Sequence, residues 1–133
     1  MTKSGRIELM APAGDFTSLQ AALDNGADSI YFGVEQLNMR ARASMNFTIL
    51  DLPEISRRCK EKGVRTYLTL NTIIYDHDLS IIKTLLDKAK AADLTAVIAM
   101  DQAVIAYAKQ IGMEVHISTQ INITNIETVK FYA

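Results

Sequence analysis

The stretch Glu8-Leu9-Met10-Ala11-Pro12-Ala13-Gly14-Asp15 decides the fold of this chain. Its apolar residues favour a β-strand, Pro12 and Gly14 favour a tight turn, and Asp15 belongs to the residue types preferred at helix N-caps. The same order of strand, turn and helix follows four more times along the sequence. The stretch therefore predicts the first of five successive βα units.

Hydrophobic periodicity places the remaining elements. The predicted strands are residues 7–11, 29–32, 64–70, 95–100 and 114–118. The second helix has two starts that fit the capping-box pattern, Asp51 with Glu54 or Thr48 with Asp51. The fifth helix has one such start, at Thr124 within the segment Thr124-Asn125-Ile126-Glu127.

Alternation of strand and helix predicts parallel strands joined by helical crossovers. A doubly wound sheet and an arc of a (β/α)₈ barrel both satisfy this pattern. In the third strand Leu68 and Leu70 share one face, whereas Arg65 and Tyr67 share the other. A doubly wound sheet carries helices on both faces, so its central strands are apolar throughout. The alternation therefore favours the barrel, with the hydrophilic face lining the interior.

A complete barrel takes about 250 residues, and this chain has 133. We therefore expect an α/β fold: an incomplete (β/α)₈ TIM-like barrel of about five βα units with parallel strands. Residues 1–133 form a single domain in this interpretation, the N-terminal part of the barrel, and apparently truncated. The strands at its two edges would lack partners, so we expect self-association through these edges or pairing with the missing half-barrel.

The composition is that of an ordinary globular domain, with 49% hydrophobic and 22% charged residues. A net charge of −1 argues against a general electrostatic footprint for nucleic acids. The single cysteine, Cys59, excludes an internal disulfide. The polar residues 1–6 do not resemble a signal peptide, and no apolar run reaches the roughly 18 residues of a membrane span. We expect a cytoplasmic protein that makes no membrane contact.

His116 is the only histidine on a predicted strand, and the alternation places it on the hydrophilic face. An imidazole inside a barrel can act as a general acid or base, so His116 is the candidate catalytic residue. The alternative is a structural histidine that is hydrogen-bonded to Glu8 or to a tyrosine.

Polar residues beyond the strand ends are candidates for substrate binding, because barrel enzymes place their sites at the C-terminal ends of the strands. Asn71 follows the third strand, and Ser118, Gln120 and Asn122 follow the fifth. The alternative for the residues after the fifth strand is a role in turns and helix caps.

The loop from Gly33 to Asn46 is long for a compact domain, and such loops are often functional. Its Arg40 and Arg42 suit an anionic group such as a phosphate or carboxylate. The alternative is a solvated loop. The sequence contains no H-E-x-x-H, no G-x-S-x-G, no glycine-rich phosphate loop and no C-x-x-C pair.

Several of these segments together resemble the collagenase-like peptidase family U32, whose catalytic type is unknown. The resemblance rests on residues 8–15, 25–33, 40–43, 46–47, 67–71 and 116–120, with Asn122, Thr124 and Asn125. It implies a TIM-like barrel. It also implies one of two activities: peptide cleavage, as the family name says, or oxygen-independent hydroxylation of tRNA, rRNA or a ubiquinone precursor with an iron–sulfur cluster.

The resemblance further implies that the cluster cysteines follow this region. We therefore expect no cofactor within this chain and an iron–sulfur cluster in the missing C-terminal part. The segment Ala92-Asp93-Leu94 departs from the family, whose members usually have a glycine after the third helix.

We expect the full-length protein to hydroxylate tRNA, rRNA or a ubiquinone precursor rather than to cleave peptides, because no nucleophile–base pair or metal site is visible. RNA, a peptide or a small molecule would then be its partner, and the fragment alone would be inactive. The alternatives are a genuine collagenase-like protease, a non-catalytic fragment or binding module, and an unrelated barrel lyase that binds a phosphorylated metabolite through Arg40 and Arg42.

Overall fold

The structure is a computed structural model, and it describes residues 5–34 and 47–133. Five parallel strands form one sheet in the order β1-β2-β3-β4-β5. The strands are β1 (Met10–Pro12), β2 (Ser29–Phe32), β3 (Arg65–Leu70), β4 (Ala96–Ala99) and β5 (Glu114–Ile117). The helices are α1 (Phe16–Asp24), α2 (Leu52–Glu61), α3 (Leu79–Ala91), α4 (Gln102–Gln110) and α5 (Ile126–Tyr132). The five predicted βα units are confirmed.

The register of the strands defines two faces of the sheet, because paired residues of parallel strands point to the same side. The outer face is mostly apolar and buried: it includes Ile30, Phe32, Leu68, Leu70, Val97 and Ala99, together with the buried Thr66. The inner face carries Ser29, Tyr31, Arg65, Tyr67, Thr69, Glu114 and His116, together with Ala96 and Ile98 of β4. The predicted alternation is confirmed, and β4 is the strand that contributes apolar side chains to the inner face.

The core lies between the outer face and helices α1 to α4. Each helix buries the side chains on one face: Leu19 and Leu23 from α1, Leu52, Ile55 and Cys59 from α2, Ile82, Leu85, Leu86 and Ala89 from α3, and Val104 and Ala108 from α4. Burying a large aliphatic side chain stabilises a fold by about 1.5–3 kcal/mol. This layer therefore packs helices α1 to α4 against the outer face, and none of these four helices covers the inner face.

Helices α1 to α4 end in the same way. The second residue after each helix has a positive φ: Gly26, Gly63, Asp93 and Gly112. After α3, the amide of Asp93 donates to the carbonyl of Lys90, and the amide of Leu94 donates to the carbonyl of Ala89. This is the Schellman pattern of a helix C-terminus. Asp93 therefore occupies the left-handed position that glycine fills after the other three helices.

The first strand begins later than predicted. The ladder with β2 starts at Met10 rather than at residue 7, and Ile7 is 90% exposed. The strand is the edge of the sheet, and in the described part of the chain no helix covers its N-terminal end. Helices α1 and α4 begin as expected after Asp15 and Asp101, whose carboxylates accept from the amides of Ser18 and Ala103.

The predicted starts of α2 and α5 compare differently with the structure. Thr48 with Asp51 forms a capping box at the 3₁₀ turn Ile49–Asp51, and α2 itself begins at Leu52, directly after Asp51 as the first predicted start has it. Glu54 does not serve as a box partner because its carboxylate pairs with Arg57 and Arg58. The prediction for α5 was wrong: the cap is Asn125, whose side-chain oxygen accepts from the amide of Thr128 at 3.0 Å. Asn125 has the extended backbone that the cap requires.

Candidate functional site

Five polar side chains meet on the inner face, and we call them the inner-face cluster: Glu8, Arg65, Tyr67, Glu114 and His116. Tyr67 lies at the centre of the group and is only 1% exposed. Its hydroxyl donates to Oε1 of Glu8 at 3.0 Å and accepts from Nη1 of Arg65 at 3.3 Å. The Arg65 guanidinium is 3.7 Å from Oε2 of Glu8. These contacts link β3 to the residues that precede β1.

His116 joins this cluster from β5. Its ring centroid lies 4.9 Å from that of Tyr67, and its Nε2 atom is 2.7 Å from Oε1 of Glu114. An ionised carboxylate can only accept a hydrogen bond, so the imidazole donates through Nε2–H. The hydrogen-bond partner of His116 is thus Glu114 rather than the predicted Glu8 or tyrosine, and the tyrosine contact is one of ring packing.

The electrostatics of the cluster favour an ionised Glu8 beside a neutral Tyr67. The Ser29 hydroxyl, then Tyr67 and the charge of Arg65 hold the pKa of the Glu8 carboxyl below its usual range, against the opposing effect of burial. Burial raises the pKa of Tyr67. Within the described residues the buried Ser29 hydroxyl has no hydrogen-bond partner, so the contacts that the structure shows for the Glu8 carboxylate are those with Tyr67 and Arg65. The cluster therefore holds one compensated charge pair and a neutral phenol.

The residues after β5 form a separate group. Ser118 is buried, and its hydroxyl accepts from the amide of Gln120 at 3.3 Å, as expected of a turn residue. Gln120 and Asn122 are exposed, and Asn122 has a left-handed backbone with φ of 57°. Across residues 5–34 and 47–133, no hydrogen bond connects His116 to this group. His116 and Ser118 are two positions apart in the chain, and their hydrogen bonds go to different partners.

Asp101 accepts two hydrogen bonds at the C-terminal edge of the sheet. One of its carboxylate oxygens caps α4 through the amide of Ala103 at 2.8 Å, and the other accepts from the amide of Ile74 at 3.1 Å. The second bond ties the loop after β3 to the end of β4. Asn71 lies at the start of this loop and is partly exposed. The sequence indicated the cap, but it contains no local signal for the contact with Ile74.

The candidate residues Arg40 and Arg42 lie outside the described residues, so their role stays a prediction. Cys59 is fully buried on the face of α2 that packs against the sheet, and burial raises the pKa of its thiol to about 11. A thiol with that pKa is not a nucleophile at neutral pH. Cys59 is thus a core residue, as its helical spacing indicates.

The described residues were compared with the ligand sets of metal ions and iron–sulfur clusters. Within residues 5–34 and 47–133, no three His, Cys, Asp or Glu side chains are grouped so that they could hold a metal ion. An iron–sulfur cluster takes about four cysteine thiolates, whereas the chain has one cysteine. The residues present do not fit such a cluster.

A second concave surface lies on the opposite side of β5, and we call it the β5–α5 groove. It encloses about 650 Å³ between α4, β5 and α5. Its apolar lining consists mainly of Ile105, Met113, Val115, Ile117 and Phe131. The groove continues the outer face of the sheet beyond the area that α4 covers. None of the predicted site residues lines it.

No helix in the described part of the chain is both long enough and apolar enough to cross a lipid bilayer.

Comparisons with known proteins bear on the family and on the fold. The sequence model described as Peptidase family U32 matches residues 14–133. A protein named Collagenase from Porphyromonas gingivalis is 52% identical over 126 residues, which are 95% of this chain and 30% of that protein. A protein from Bacillus subtilis named tRNA hydroxylation protein P1 is 30% identical over 127 residues, which are 94% of this chain and 30% of that protein. The chain thus spans just under a third of the length of these relatives.

A solved structure of a U32 peptidase also matches. It has a TM-score of 0.66 and 14% sequence identity, and the match covers 92% of this chain and 53% of that one. At this identity the likeness concerns the fold alone. Together with the five successive βα units, it supports the predicted fragment of a TIM-like barrel.

Proposed function

The chain belongs to peptidase family U32, and from this premise we propose that it forms the substrate-facing N-terminal part of a barrel protein that hydroxylates RNA. His116 is the acid–base group of this proposal. Asn71, Ser118, Gln120, Asn122, Arg40 and Arg42 contact the substrate near the C-terminal ends of the strands. The substrate is a tRNA or rRNA, the protein works in the cytoplasm, and any iron–sulfur cluster is held outside these 133 residues.

One observation carries the proposal: among residues 5–34 and 47–133, the imidazole–carboxylate pair of the inner face has no serine hydroxyl or thiol hydrogen-bonded to it. His116 is hydrogen-bonded to Glu114, and its ring packs on Tyr67. Such a pair can move a proton at a bound substrate. Nucleophilic hydrolysis would instead need a hydroxyl or thiol within hydrogen-bond reach of the base. The hydroxyl of Ser118 belongs to a turn, and the thiol of Cys59 lies in the core on the other side of the sheet.

Peptide cleavage is the second candidate. It is favoured by the relative named Collagenase, which is 52% identical to this chain. In that case the group that activates water or forms an acyl intermediate comes from other parts of a longer protein, and Arg40 and Arg42 supply positive charge for the oxyanion. The polar inner face would then bind a peptide backbone.

The two candidates are separated by an experiment on the complete gene product. A strain that lacks the gene is complemented with the wild-type gene, with His116→Ala, or with His77→Ala as a matched control. His77 is an exposed histidine in the 3₁₀ turn Asp76–Asp78, which precedes α3. Hydroxylated nucleosides are then measured in total tRNA and rRNA by mass spectrometry, and the purified proteins are assayed on gelatin and denatured collagen.

We expect wild type and His77→Ala to restore the same hydroxylated nucleoside and His116→Ala to reduce it by about a hundredfold, the usual worth of a general acid or base. RNA that is modified equally by all three proteins would remove His116 from the mechanism. Cleavage of gelatin that persists in pure protein and disappears with His116→Ala would replace hydroxylation by proteolysis.

A further inference from the structure

We propose that Glu114 is the positioning residue for His116. It holds the neutral imidazole in the tautomer with the proton on Nε2, so that Nδ1 is the atom that takes a proton from the substrate. Both statements rest on the acid–base role proposed above for His116. They add the identity of the reacting atom and of the residue that selects it.

The two ring nitrogens of His116 have different surroundings. Nε2 lies 2.7 Å from Oε1 of Glu114, and among residues 5–34 and 47–133 Glu114 is the hydrogen-bond partner of this histidine. In a neutral imidazole one nitrogen carries the proton and the other carries a lone pair. An ionised carboxylate can accept but cannot donate, so it favours Nε2–H and leaves the lone pair on Nδ1. Nδ1 is therefore the nitrogen that can accept a proton.

The place of Glu114 in β5 fits this role. Glu114 begins the strand, and it lies two residues before His116 on the same inner face. Nε2 is thus engaged by a residue nearer to the start of the strand. Barrel enzymes bind their substrates at the C-terminal ends of the strands. The carboxylate can therefore orient the imidazole without lying between it and the substrate end of the sheet.

The two carboxylates of the inner-face cluster have different partners. Glu8 accepts from Tyr67 and lies 3.7 Å from Arg65, so the guanidinium compensates its charge. Glu114 is hydrogen-bonded to His116 instead. When Nδ1 takes a proton, the positive charge of the imidazolium develops beside the Glu114 carboxylate, which stabilises it. Glu114 is thus the carboxylate that serves the histidine.

Ring packing fixes the orientation of the imidazole. Ala96 of β4 pairs in register with Tyr67 on one side and with Glu114 on the other. Although β4 lies between the two strands, the ring centroids of Tyr67 and His116 are 4.9 Å apart. The small side chain of Ala96 gives the rings room to meet over β4. The Tyr67 hydroxyl donates to Glu8, so it does not compete with Glu114 for Nε2.

The chemical step assigned to Nδ1 is a proton transfer. A bond between a substrate atom and its proton breaks, the substrate keeps the electron pair, and an N–H bond forms at Nδ1. The imidazolium then carries protons on both nitrogens, and Nε2–H still donates to Glu114. Return of the proton from Nδ1 to the product restores the neutral ring.

Nitrogen NMR of the complete gene product, labelled with nitrogen-15 in its histidine rings, measures the tautomer independently of activity. The signals of His116 are those that disappear in His116→Ala. Spectra at about pH 8 report neutral rings, because the ordinary pKa of histidine is about 6.5. We expect the wild-type protein to show a protonated Nε2 and an unprotonated Nδ1. A protonated Nδ1, or equal populations of the two tautomers, would overturn the proposal.

Glu114→Gln tests whether the carboxylate selects the tautomer. Glutamine has nearly the same shape, but its amide can donate as well as accept, so we expect the Nδ1–H tautomer to appear in this variant. In the complementation experiment it should reduce the hydroxylated nucleoside at least about tenfold. Glu61→Gln is the matched control, because the side chain of Glu61 is as exposed as that of Glu114, 62% against 63%, and pairs with Arg57 on α2.

The outcomes separate the role of Glu114 from the proposed function. An unchanged tautomer in Glu114→Gln, or full hydroxylation by this variant, would overturn the role of Glu114. A wild-type protein that modifies no RNA would overturn the proposed function by itself. If the spectra of that protein still showed Nε2–H, and Glu114→Gln still changed them, the assignment of Nδ1 as the proton acceptor would stand for a different reaction.

Discussion

Glu8 connects the segment before β1 to the centre of β3, and its contribution to stability should depend on pH. Its carboxylate accepts from Tyr67 and lies 3.7 Å from Arg65, and its pKa is held below the usual range. A carboxyl whose pKa is lower in the folded than in the unfolded state stabilises the fold above its unfolded pKa. That contribution is lost as the pH falls through the folded value.

We therefore expect Glu8→Gln to lower the free energy of unfolding by about 1–2 kcal/mol at neutral pH. The difference from wild type should shrink as the pH falls below the ordinary glutamate pKa of about 4.3. Urea denaturation at a series of pH values measures it. Glu127→Gln is the control, because Glu127 is exposed on α5 and pairs only with Lys130. If Glu8→Gln lowered the free energy of unfolding by the same amount at every pH, the charge of Glu8 would not contribute to stability.

The helix ends show how one residue type can replace another in a repeated element. Asp93 occupies the left-handed position after α3 with φ of 61°, where α1, α2 and α4 are each followed by glycine. Aspartate tolerates this conformation better than most residues with a Cβ atom. Its carboxylate also pairs with Lys60 of α2. Both groups are exposed, so this ion pair forms with little desolvation cost.

We expect Asp93→Ala to lower the free energy of unfolding by about 1–2 kcal/mol, because alanine meets the full left-handed penalty. Asp93→Gly should stay within about 0.5 kcal/mol of wild type, because glycine removes the strain but adds freedom to the unfolded chain. Thermal and urea unfolding of both variants give the comparison. Equal losses in the two variants would assign the effect to the ion pair with Lys60 instead of to the backbone.

Because the outer layer is apolar and the inner face is hydrophilic, we expect mutations in the outer layer to lower the free energy of unfolding most. Leu68 is fully buried at the centre of the outer face, whereas Leu50 is 85% exposed. Leu68→Ala should lower the free energy of unfolding by about 2–5 kcal/mol, the range for buried leucines. Leu50→Ala should change it by less than about 0.5 kcal/mol. Chemical denaturation of both variants measures the difference, and similar losses would mean that the core lies elsewhere.

The sequence predicted those features of the fold that depend on neighbouring residues. The caps at Asp15 and Asp101, the left-handed Gly26 and the alternation in β3 depend on residues close together in the chain, and all were confirmed. The cap of α5 was wrong because Thr124 and Asn125 are both good capping residues, and only the backbone at Asn125 decides between them. The start of β1 was wrong because apolar alternation continues into residues that no neighbouring element covers.

The candidate site was less predictable, because its contacts join distant parts of the sequence. The alternation placed His116 on the inner face, but the partner of Tyr67 is Glu8, which is 59 positions away. Likewise the sequence grouped His116 with Ser118 and Gln120 by proximity, whereas the structure connects it to Glu114 and Tyr67. The catalytic and substrate-binding roles of these residues stay predictions.

The strand order β1-β2-β3-β4-β5 has a consequence for how the chain acquires its structure during synthesis. Every strand after the first pairs with the one translated just before it, so a nascent chain leaving the ribosome finds each partner already present. Among the five described strands, none has to wait for a distant later one, as a central strand of a doubly wound sheet does. Assembly can therefore advance unit by unit from the N-terminus, and the growing edge is always the newest strand.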